Sequence, residues 1–340
     1  MWGAVAPIGV LSAAHPDADL AVVRGARENQ VTPILSTQAS VPMEDVAAEL
    51  AGGGHWYQLY WSRDDDLVAS LVQRAEACGS EAVVVTLDTA YLGWRPRDLD
   101  LGHLPFARGE GIAQYTSDPV FRRLVEARLA ARGTTEPADQ PRPTPAAVRT
   151  LVSLSRNHPG ATRDNLTSPF PRAAVETFLD VFSKPSLSWA DLPRLRELTT
   201  LPIVLKGVLH PDDARRAAAE GVDGILVSNH GGRQVDRSVA ALDALPGVVD
   251  AVRGEGSRMP VLFDSGIRSG ADVFVALALG ADAVGIGRPH VYGLALAGAE
   301  GVSEVLRNLV AELDLTMALT GCRSLADVTR DRLVEAPAGT

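Results

Sequence analysis

The heptapeptide Ser228–Gln234 places a proton-transfer group beside an anion-binding group. His230 can take and return a proton near neutral pH, and Arg233 offers a planar fork of donors that suits a carboxylate or a phosphate. Two glycines, Gly231 and Gly232, allow a tight turn or the close approach of a ligand. The combination indicates a substrate that carries an anion next to an acidic proton. The same seven residues also fit a polar loop in which the histidine is only hydrogen-bonded to its neighbours and has no catalytic role.

An apolar run precedes the heptapeptide and predicts a short buried strand. Similar runs recur eight times, most of them followed by a helical pattern, at 3–8, 33–36, 56–60, 82–88, 202–206, 224–227, 260–264 and 282–287. Near-continuous apolar strands that alternate with helices predict an α/β fold, specifically a (β/α)8 TIM barrel. The alternative is a doubly wound sheet, which normally has fewer strands.

The alternation of strands and helices breaks between the fourth and fifth strands. We interpret the chain as one TIM-barrel domain, 1–340, in which about 95–188 form an inserted lid. The insertion contains one predicted helix, 118–132, and a stretch rich in proline and polar residues, 133–147, that we expect to be mobile. Amphipathic helices over 303–319 and 324–333 are predicted to close the chain.

Composition excludes several classes of partner. The formal net charge of -10 argues against nucleic acid as the main partner, because phosphate backbones require a basic face. Two cysteines make no disulfide framework and fit a reducing cytosol, so we expect a cytoplasmic protein. No apolar run reaches transmembrane length, and no His, Cys or Asp cluster has metal-ligand spacing. We therefore expect no membrane partner and no metal.

The carboxyl ends of all eight strands would meet at the mouth of a barrel. In chain order they deliver Pro7, Ile8 and Gly9; Ser36; Gln58 and Tyr60; Thr86 and Asp88, followed by Arg95; Lys206; Ser228, His230 and Arg233; Asp264, Gly266 and Arg268; and Gly287 and Arg288. Glycines and arginines after the last two strands predict a phosphate site, although glycine-rich turns with surface arginines would look similar.

Some strand-end residues have more than one interpretation. Gln58 and Lys206 end buried strands, where an unpartnered polar group is costly. Lys206 could form a Schiff base or stabilise negative charge on a bound ring. Asp88 could cap a helix, or could raise the basicity of His230. Ser36 and Thr86 individually fit loop caps best.

Taken together, the strand ends resemble the FMN-dependent 2-hydroxy acid oxidase family, which includes glycolate oxidase, lactate oxidase, mandelate dehydrogenase and lactate 2-monooxygenase. The matching blocks are 57–60, 86–89, 205–207, 228–234, 264–270 and 285–289. Within the family, segments 7–9, 93–99 and 115–121 and the long insertion most resemble lactate 2-monooxygenase.

The resemblance implies a role for each of these residues. His230 would be the base, Asp88 its electrostatic partner, Arg95 and Arg233 the clamp on the substrate carboxylate, and Tyr60 a hydroxyl donor. Lys206 would lie beside the flavin edge where charge appears on reduction. The remaining cofactor contacts would be Ser36, Gln58, Thr86 and Ser228 at the ring, Asp264 at the ribityl chain, Gly266, Arg268, Gly287 and Arg288 at the phosphate, and the backbone of Pro7, Ile8 and Gly9.

The implied activity is oxidation of a small L-2-hydroxy acid, with lactate favoured, by O2. The products would be acetate, CO2 and water, or pyruvate and peroxide. The resemblance also implies a homo-oligomer, a tetramer or larger. Two departures stand out: the family's N-terminal segment is absent, and Gln38 replaces an aromatic pocket residue of several relatives. There are two alternatives to this activity. The chain could be another FMN-binding barrel of isomerase type, or an FMN-binding protein whose catalysis is impaired.

Overall fold

Eight parallel strands close into a barrel in sequence order, with the eighth strand paired to the first. The structure is a computed structural model that describes residues 2–131 and 144–334. The strands are β1 (Gly3–Val5), β2 (Thr32–Ser36), β3 (His55–Leu59), β4 (Ser80–Thr86), β5 (Ile203–Val208), β6 (Gly224–Val227), β7 (Val261–Phe263) and β8 (Ala283–Ile286). The predicted (β/α)8 barrel is confirmed.

Helices separate the strands and cover the outside of the barrel. They are α1 (Ala18–Glu28), α2 (Met43–Leu50), α3 (Asp65–Ala77), α4 (Pro96–Asp100), α5 (Ala113–Thr116), α6 (Pro119–Ala131), α7 (Pro145–Asn157), α8 (Thr162–Thr167), α9 (Phe170–Val181), α10 (Leu192–Leu198), α11 (Pro211–Ala219), α12 (Ala241–Gly254), α13 (Gly270–Ala278) and α14 (Arg288–Leu319). Among the described residues, none of these helices combines the length and the apolarity that a bilayer crossing needs.

The barrel interior has an apolar lower layer and a polar upper layer. Its buried apolar residues are Ala4, Ile34, Val84, Val204, Leu226, Leu262 and Ala283. Side chains two residues apart on a strand point to the same side. The next inward positions therefore include five polar residues, all buried, namely Ser36, Thr86, Lys206, Ser228 and Asp264. The strand period alone thus places the predicted site residues on top of the core.

The insertion between β4 and β5 contains more helix than the sequence predicted. The predicted helix 118–132 corresponds to α6, whereas α7, α8 and α9 were not predicted. Most of the stretch expected to be mobile, 133–147, lies outside the described residues, but its last three residues begin α7. Thr144 caps that helix, since its Oγ1 accepts from the Ala147 amide at 3.1 Å.

The chain end also differs from the prediction. The helix expected over 303–319 is the second half of α14, which bends at Ala297 and Gly298. The prediction of a helix over 324–333 is wrong, because the chain there forms only two single-turn 3-10 helices, at Leu325–Asp327 and Arg330–Arg332. Val328 and Thr329 between them are extended, and this interrupts the helical hydrogen-bond ladder.

Candidate active site

The first half of the upper layer is a chain of buried polar side chains. Gln58 accepts from the Ser36 hydroxyl at 3.1 Å and donates to the Thr86 hydroxyl at 3.0 Å. Register places Ser36 beside Gln58. These hydrogen bonds offset the cost of burying an amide in the barrel. The three side chains are not among those that line the central cavity, and their role as flavin contacts stays a prediction.

The second half of the layer is built around a buried cation. The Lys206 ammonium donates to the Ser228 hydroxyl at 2.7 Å and lies 3.2 Å from Asp264 Oδ2. Lys206 faces Thr86 across the β4–β5 pair. A lysine that is only 4% exposed requires such partners. The pairing holds a positive charge at the floor of the cavity.

His230 lies just beyond β6 in a turn with unusual backbone geometry. Its φ angle is 58°, in the left-handed region, and Gly231 and Gly232 follow with φ angles of 65° and 75°. Such conformations are costly for a residue with a side chain and are found at functional sites. The turn directs the imidazole toward β4.

His230 pairs with the carboxylate that follows β4. Its Nδ1 lies 2.9 Å from Asp88 Oδ1, which also accepts from the Thr89 hydroxyl at 3.1 Å. Burial raises the pKa of Asp88, but the hydrogen bond from His230 and the charge of Lys206 outweigh it and the net pKa is lowered. Asp88 is therefore a carboxylate at neutral pH, and its Oδ1 can accept a hydrogen bond from His230 Nδ1.

Two arginines face the same cavity near His230. Burial and the positive charge of Arg233 lower the pKa of Arg95. Arg95 donates to the Gln234 amide oxygen at 2.8 Å, and Arg233 lies 3.5 Å from Asp98 of α4. Two guanidinium groups that repel one another and share one nearby carboxylate form a site for an added anion.

Tyr60 lines the cavity beside these arginines. Burial raises the pKa of Tyr60, and the charge of Asp88 raises it further. The phenol is therefore protonated at neutral pH and can donate a hydrogen bond to a bound anion.

The far end of the cavity is formed by the loops after β7 and β8. Gly266 and Gly287 line it, and a Cβ atom at either position would meet no protein atom within 4 Å. Arg268 donates to the Ile267 carbonyl and Arg288 to the Gly231 carbonyl. Within 2–131 and 144–334, neither guanidinium is paired with a carboxylate. Open backbone and guanidinium donors, one after β7 and one at the start of α14, suit a phosphate.

A single cavity of about 690 Å³ connects these groups. The predicted site residues that line it are Pro7, Ile8, Gly9, Tyr60, Arg95, Lys206, His230, Arg233, Asp264, Gly266, Arg268, Gly287 and Arg288. Five predicted residues are not among those that line it, namely Ser36, Gln58, Thr86, Asp88 and Ser228. The loop 92–106 of the insertion supplies much of the roof, including Leu92, Leu99, Leu104 and Phe106.

Sequence reasoning missed three residues that hold the site together. Gln234 donates to the carbonyls of Asp88 and Tyr91 while it accepts from Arg95. Asp98 reaches Arg233 from the insertion, and Ser265 contacts the turn that carries His230. All three lie inside segments that carry the family resemblance, but their position in those segments does not reveal their partners. Among the described residues, no group of three or more His, Cys, Asp or Glu side chains could hold a metal.

Comparison with known proteins gives a consistent result. The sequence model of the family described as FMN-dependent dehydrogenase matches residues 3–335. The chain is 42% identical over 327 residues to the FMN-dependent alpha-hydroxy acid dehydrogenase qulF of Penicillium citrinum, covering 96% of this chain and 72% of that protein. It is 39% identical over 330 residues to an L-lactate oxidase of Lysinibacillus sphaericus, and the match covers 97% of this chain and 74% of that protein.

Solved structures show the same similarity. A mandelate oxidase crystallised with 3,3-difluoro-2-hydroxy-3-phenylpropionic acid superimposes with a TM-score of 0.70 at 36% identity, covering 96% of this chain and 76% of the other. A mandelate oxidase crystallised with benzoyl-formic acid also gives a TM-score of 0.70 at 36% identity, with the same shares of the two chains covered.

Proposed function

The chain belongs to the FMN-dependent dehydrogenase family, and from this premise we propose that it uses FMN to oxidise small L-2-hydroxy acids to 2-oxo acids, with L-lactate as its substrate. One observation carries the proposal. The Asp88–His230 pair lies beside two cavity-lining arginines, and the same cavity ends at a glycine-rich cationic site. A 2-hydroxy acid presents a carboxylate next to the proton that has to be removed.

The cavity fits FMN by the chemistry of its walls. Gly266 and Gly287 leave open space where a phosphate would approach the backbone, and Arg268 and Arg288 supply donors there. Asp264 offers a carboxylate for ribityl hydroxyls, and the Lys206 ammonium offers a positive charge for the ring. When bound, FMN accepts the two electrons that leave the substrate.

The residues of the chain bind and deprotonate the substrate. Arg95 and Arg233 hold the carboxylate, and Tyr60 donates a hydrogen bond to it. This orientation places the hydroxyl-bearing carbon toward His230, whose free Nε2 accepts the proton from the hydroxyl or from the carbon itself. Asp88 stabilises the resulting imidazolium across the 2.9 Å hydrogen bond to Nδ1.

Two further features support the reaction. Lys206 is a buried cation at the cavity floor and stabilises negative charge that develops there. The loop 92–106 lines the opposite side with apolar residues such as Leu104 and Phe106, which lower the polarity around the bound substrate. Relatives described as L-lactate oxidase and mandelate oxidase support the class of substrate, and the resemblance of segments 93–99 and 115–121 supports lactate.

We further propose that the chain acts as a lactate 2-monooxygenase, which forms acetate, CO2 and water instead of releasing pyruvate and peroxide. What supports this is the roof formed by the insertion, since a covered cavity can retain a first product long enough for a second reaction. If the roof is the cause, a variant with a shortened insertion should release free pyruvate and peroxide.

The test is anaerobic mixing of FMN-loaded protein with L-lactate while the flavin absorbance is followed. We expect rapid bleaching with L-lactate and none with D-lactate, and a loss of about 10²- to 10⁴-fold in rate in the His230→Asn variant. Readmission of oxygen, with acetate, pyruvate and peroxide assayed, then separates monooxygenase from oxidase. A yellow protein that is inert toward lactate, glycolate and mandelate would overturn the proposal.

We also propose that the chain forms a homo-oligomer of four or more copies and that it is cytoplasmic. Exposed apolar side chains support an assembly, among them Trp94 and Leu296, which are 82% and 87% exposed. Light scattering coupled to gel filtration measures the assembly, and cell fractionation measures the location.

A further inference from the structure

Ser265 occupies a backbone conformation that favours glycine. Its φ angle is 85°, well inside the left-handed region, and the residue directly precedes Gly266. A serine gains nothing from such a conformation, since its Cβ makes the left-handed region costly. The side chain must therefore contribute something that glycine could not provide.

The Ser265 hydroxyl makes three hydrogen bonds within the protein. It donates to Asp264 Oδ1 at 2.9 Å, and it accepts from the amides of Gly231 at 3.0 Å and Asn229 at 3.3 Å. A hydroxyl has one proton and two acceptor lone pairs. Its capacity is filled by protein groups, so Ser265 has no hydrogen bond left for a ligand although it lines the cavity.

The two amides that Ser265 accepts from lie on either side of His230. The His230 amide itself donates to the Ser228 hydroxyl at 3.1 Å, and the Gly232 amide donates to the Asn229 side chain at 3.1 Å. Four successive amides of the turn are therefore satisfied by side-chain oxygens. Of the side chains involved, only Ser265 comes from a different strand end.

Ser265 also connects the turn to the buried cation. Asp264 accepts from Ser265 through Oδ1, and its Oδ2 lies 3.2 Å from the Lys206 ammonium. The turn is thus fixed to a rigid part of the upper layer. The Asp88–His230 contact spans two separate strand ends, and its 2.9 Å distance depends on where that turn lies.

We propose that Ser265 is a positioning residue that holds the His230 turn so that the imidazole stays against Asp88 and toward the substrate. The proposal rests on the function proposed above, in which His230 is the base. Ser265 does not touch the substrate and acts through the backbone of the turn.

Two substitutions separate the hydroxyl from the backbone strain. Ser265→Gly removes the hydroxyl and relieves the left-handed strain, whereas Ser265→Ala removes the hydroxyl and keeps the strain. Ala51→Gly is the matched control, because Ala51 has a φ angle of 51° at the exposed end of α2 and is none of the residues that line the cavity. It relieves comparable strain without removing a hydroxyl.

The readouts are the rate of flavin reduction at saturating L-lactate and FMN, the affinity for oxalate as an inert anion, and the melting temperature. Both Ser265 variants should reduce the flavin roughly 10- to 100-fold more slowly than the parent, because the base is misplaced. Their rates should be similar although the glycine variant melts at a higher temperature than the alanine variant. Oxalate affinity should change less than about twofold, since the arginines are untouched, and Ala51→Gly should keep the parent rate.

The proposal is overturned if both variants keep the parent rate, if the rate follows the melting temperature from one variant to the other, or if oxalate affinity falls in proportion to the rate. The last result would assign Ser265 to the anion clamp. Failure of the proposed function is a separate outcome, because in that case the unmodified protein would not be bleached by any 2-hydroxy acid.

Discussion

Replacement of Asp88 by asparagine should slow substrate oxidation without moving the base. Asparagine has the shape of aspartate and keeps an oxygen that can accept from His230 Nδ1, now 2.9 Å from the carboxylate. The change removes the charge that stabilises the imidazolium. A hydrogen bond to a charged group contributes about 1.5–3 kcal/mol. Since about 1.36 kcal/mol is a factor of ten in rate, we expect a loss of about 10- to 150-fold.

Solvent does not cancel this effect, because His230 and Asp88 are only 20% and 17% exposed. The assay is anaerobic stopped-flow reduction of the bound flavin by saturating L-lactate, which isolates the chemical half-reaction from oxygen. Asp65→Asn is the matched control, since Asp65 is 64% exposed in the first turn of α3. An Asp88→Asn rate within about twofold of the parent would refute the pairing as a catalytic device.

Three further changes test other parts of the molecule. Gly207→Ala should lower stability by about 1–3 kcal/mol and slow flavin reduction, because Gly207 has a φ angle of 104° and the new Cβ atom would lie 3.1 Å from Asp88. Gly79→Ala is the control, since Gly79 has a φ angle of 81° and a Cβ atom there would meet no atom within 4 Å. It should lower stability without slowing flavin reduction. Gln234→Leu should raise the KM for lactate roughly tenfold, as Arg95 loses its 2.8 Å acceptor; an unchanged KM would contradict the role. Burial raises the pKa of Asp19 from 3.8 to about 6, so the stability that its protonated form provides is complete below pH 3.8 and is lost as pH rises through 6. The free energy of unfolding of the parent, measured by urea denaturation, should therefore fall by about 1 kcal/mol between about pH 5 and pH 8. The Asp19→Asn variant, which lacks this carboxyl group, is the reference for that change.

Strand periodicity is the part of the fold that local sequence determines. Five of the seven inward apolar residues of the lower layer are followed two positions later by a polar residue of the upper layer, as in Val84 and Thr86 or Val204 and Lys206. This spacing is visible in the sequence, and it is why the strand-end residues could be predicted from the sequence alone. The closure of eight such strands then brings them together.

Contacts between distant segments could not be read from the sequence. Arg233 and Asp98 are an example, because their 3.5 Å approach depends on how the insertion folds over the mouth of the barrel. The insertion itself was predicted poorly, since Pro145 reads as the end of a loop but is the first residue of α7. A proline marks a helix start and a loop equally well when tertiary packing decides between them.

Local charge, and not total charge, determines which molecules this cavity can bind. The chain carries a net charge of -10, yet among the described residues five Lys and Arg side chains and two carboxylates line the cavity. One carboxylate, Asp264, is paired with Lys206 at 3.2 Å. The other, Asp98, lies 3.5 Å from Arg233 and neutralises only part of the charge of the two arginines. Exposed charges beyond about 8 Å are largely screened at physiological salt. A small anion at the mouth therefore experiences the arginines far more than the acidic surface, which reconciles an acidic protein with an anionic substrate and cofactor.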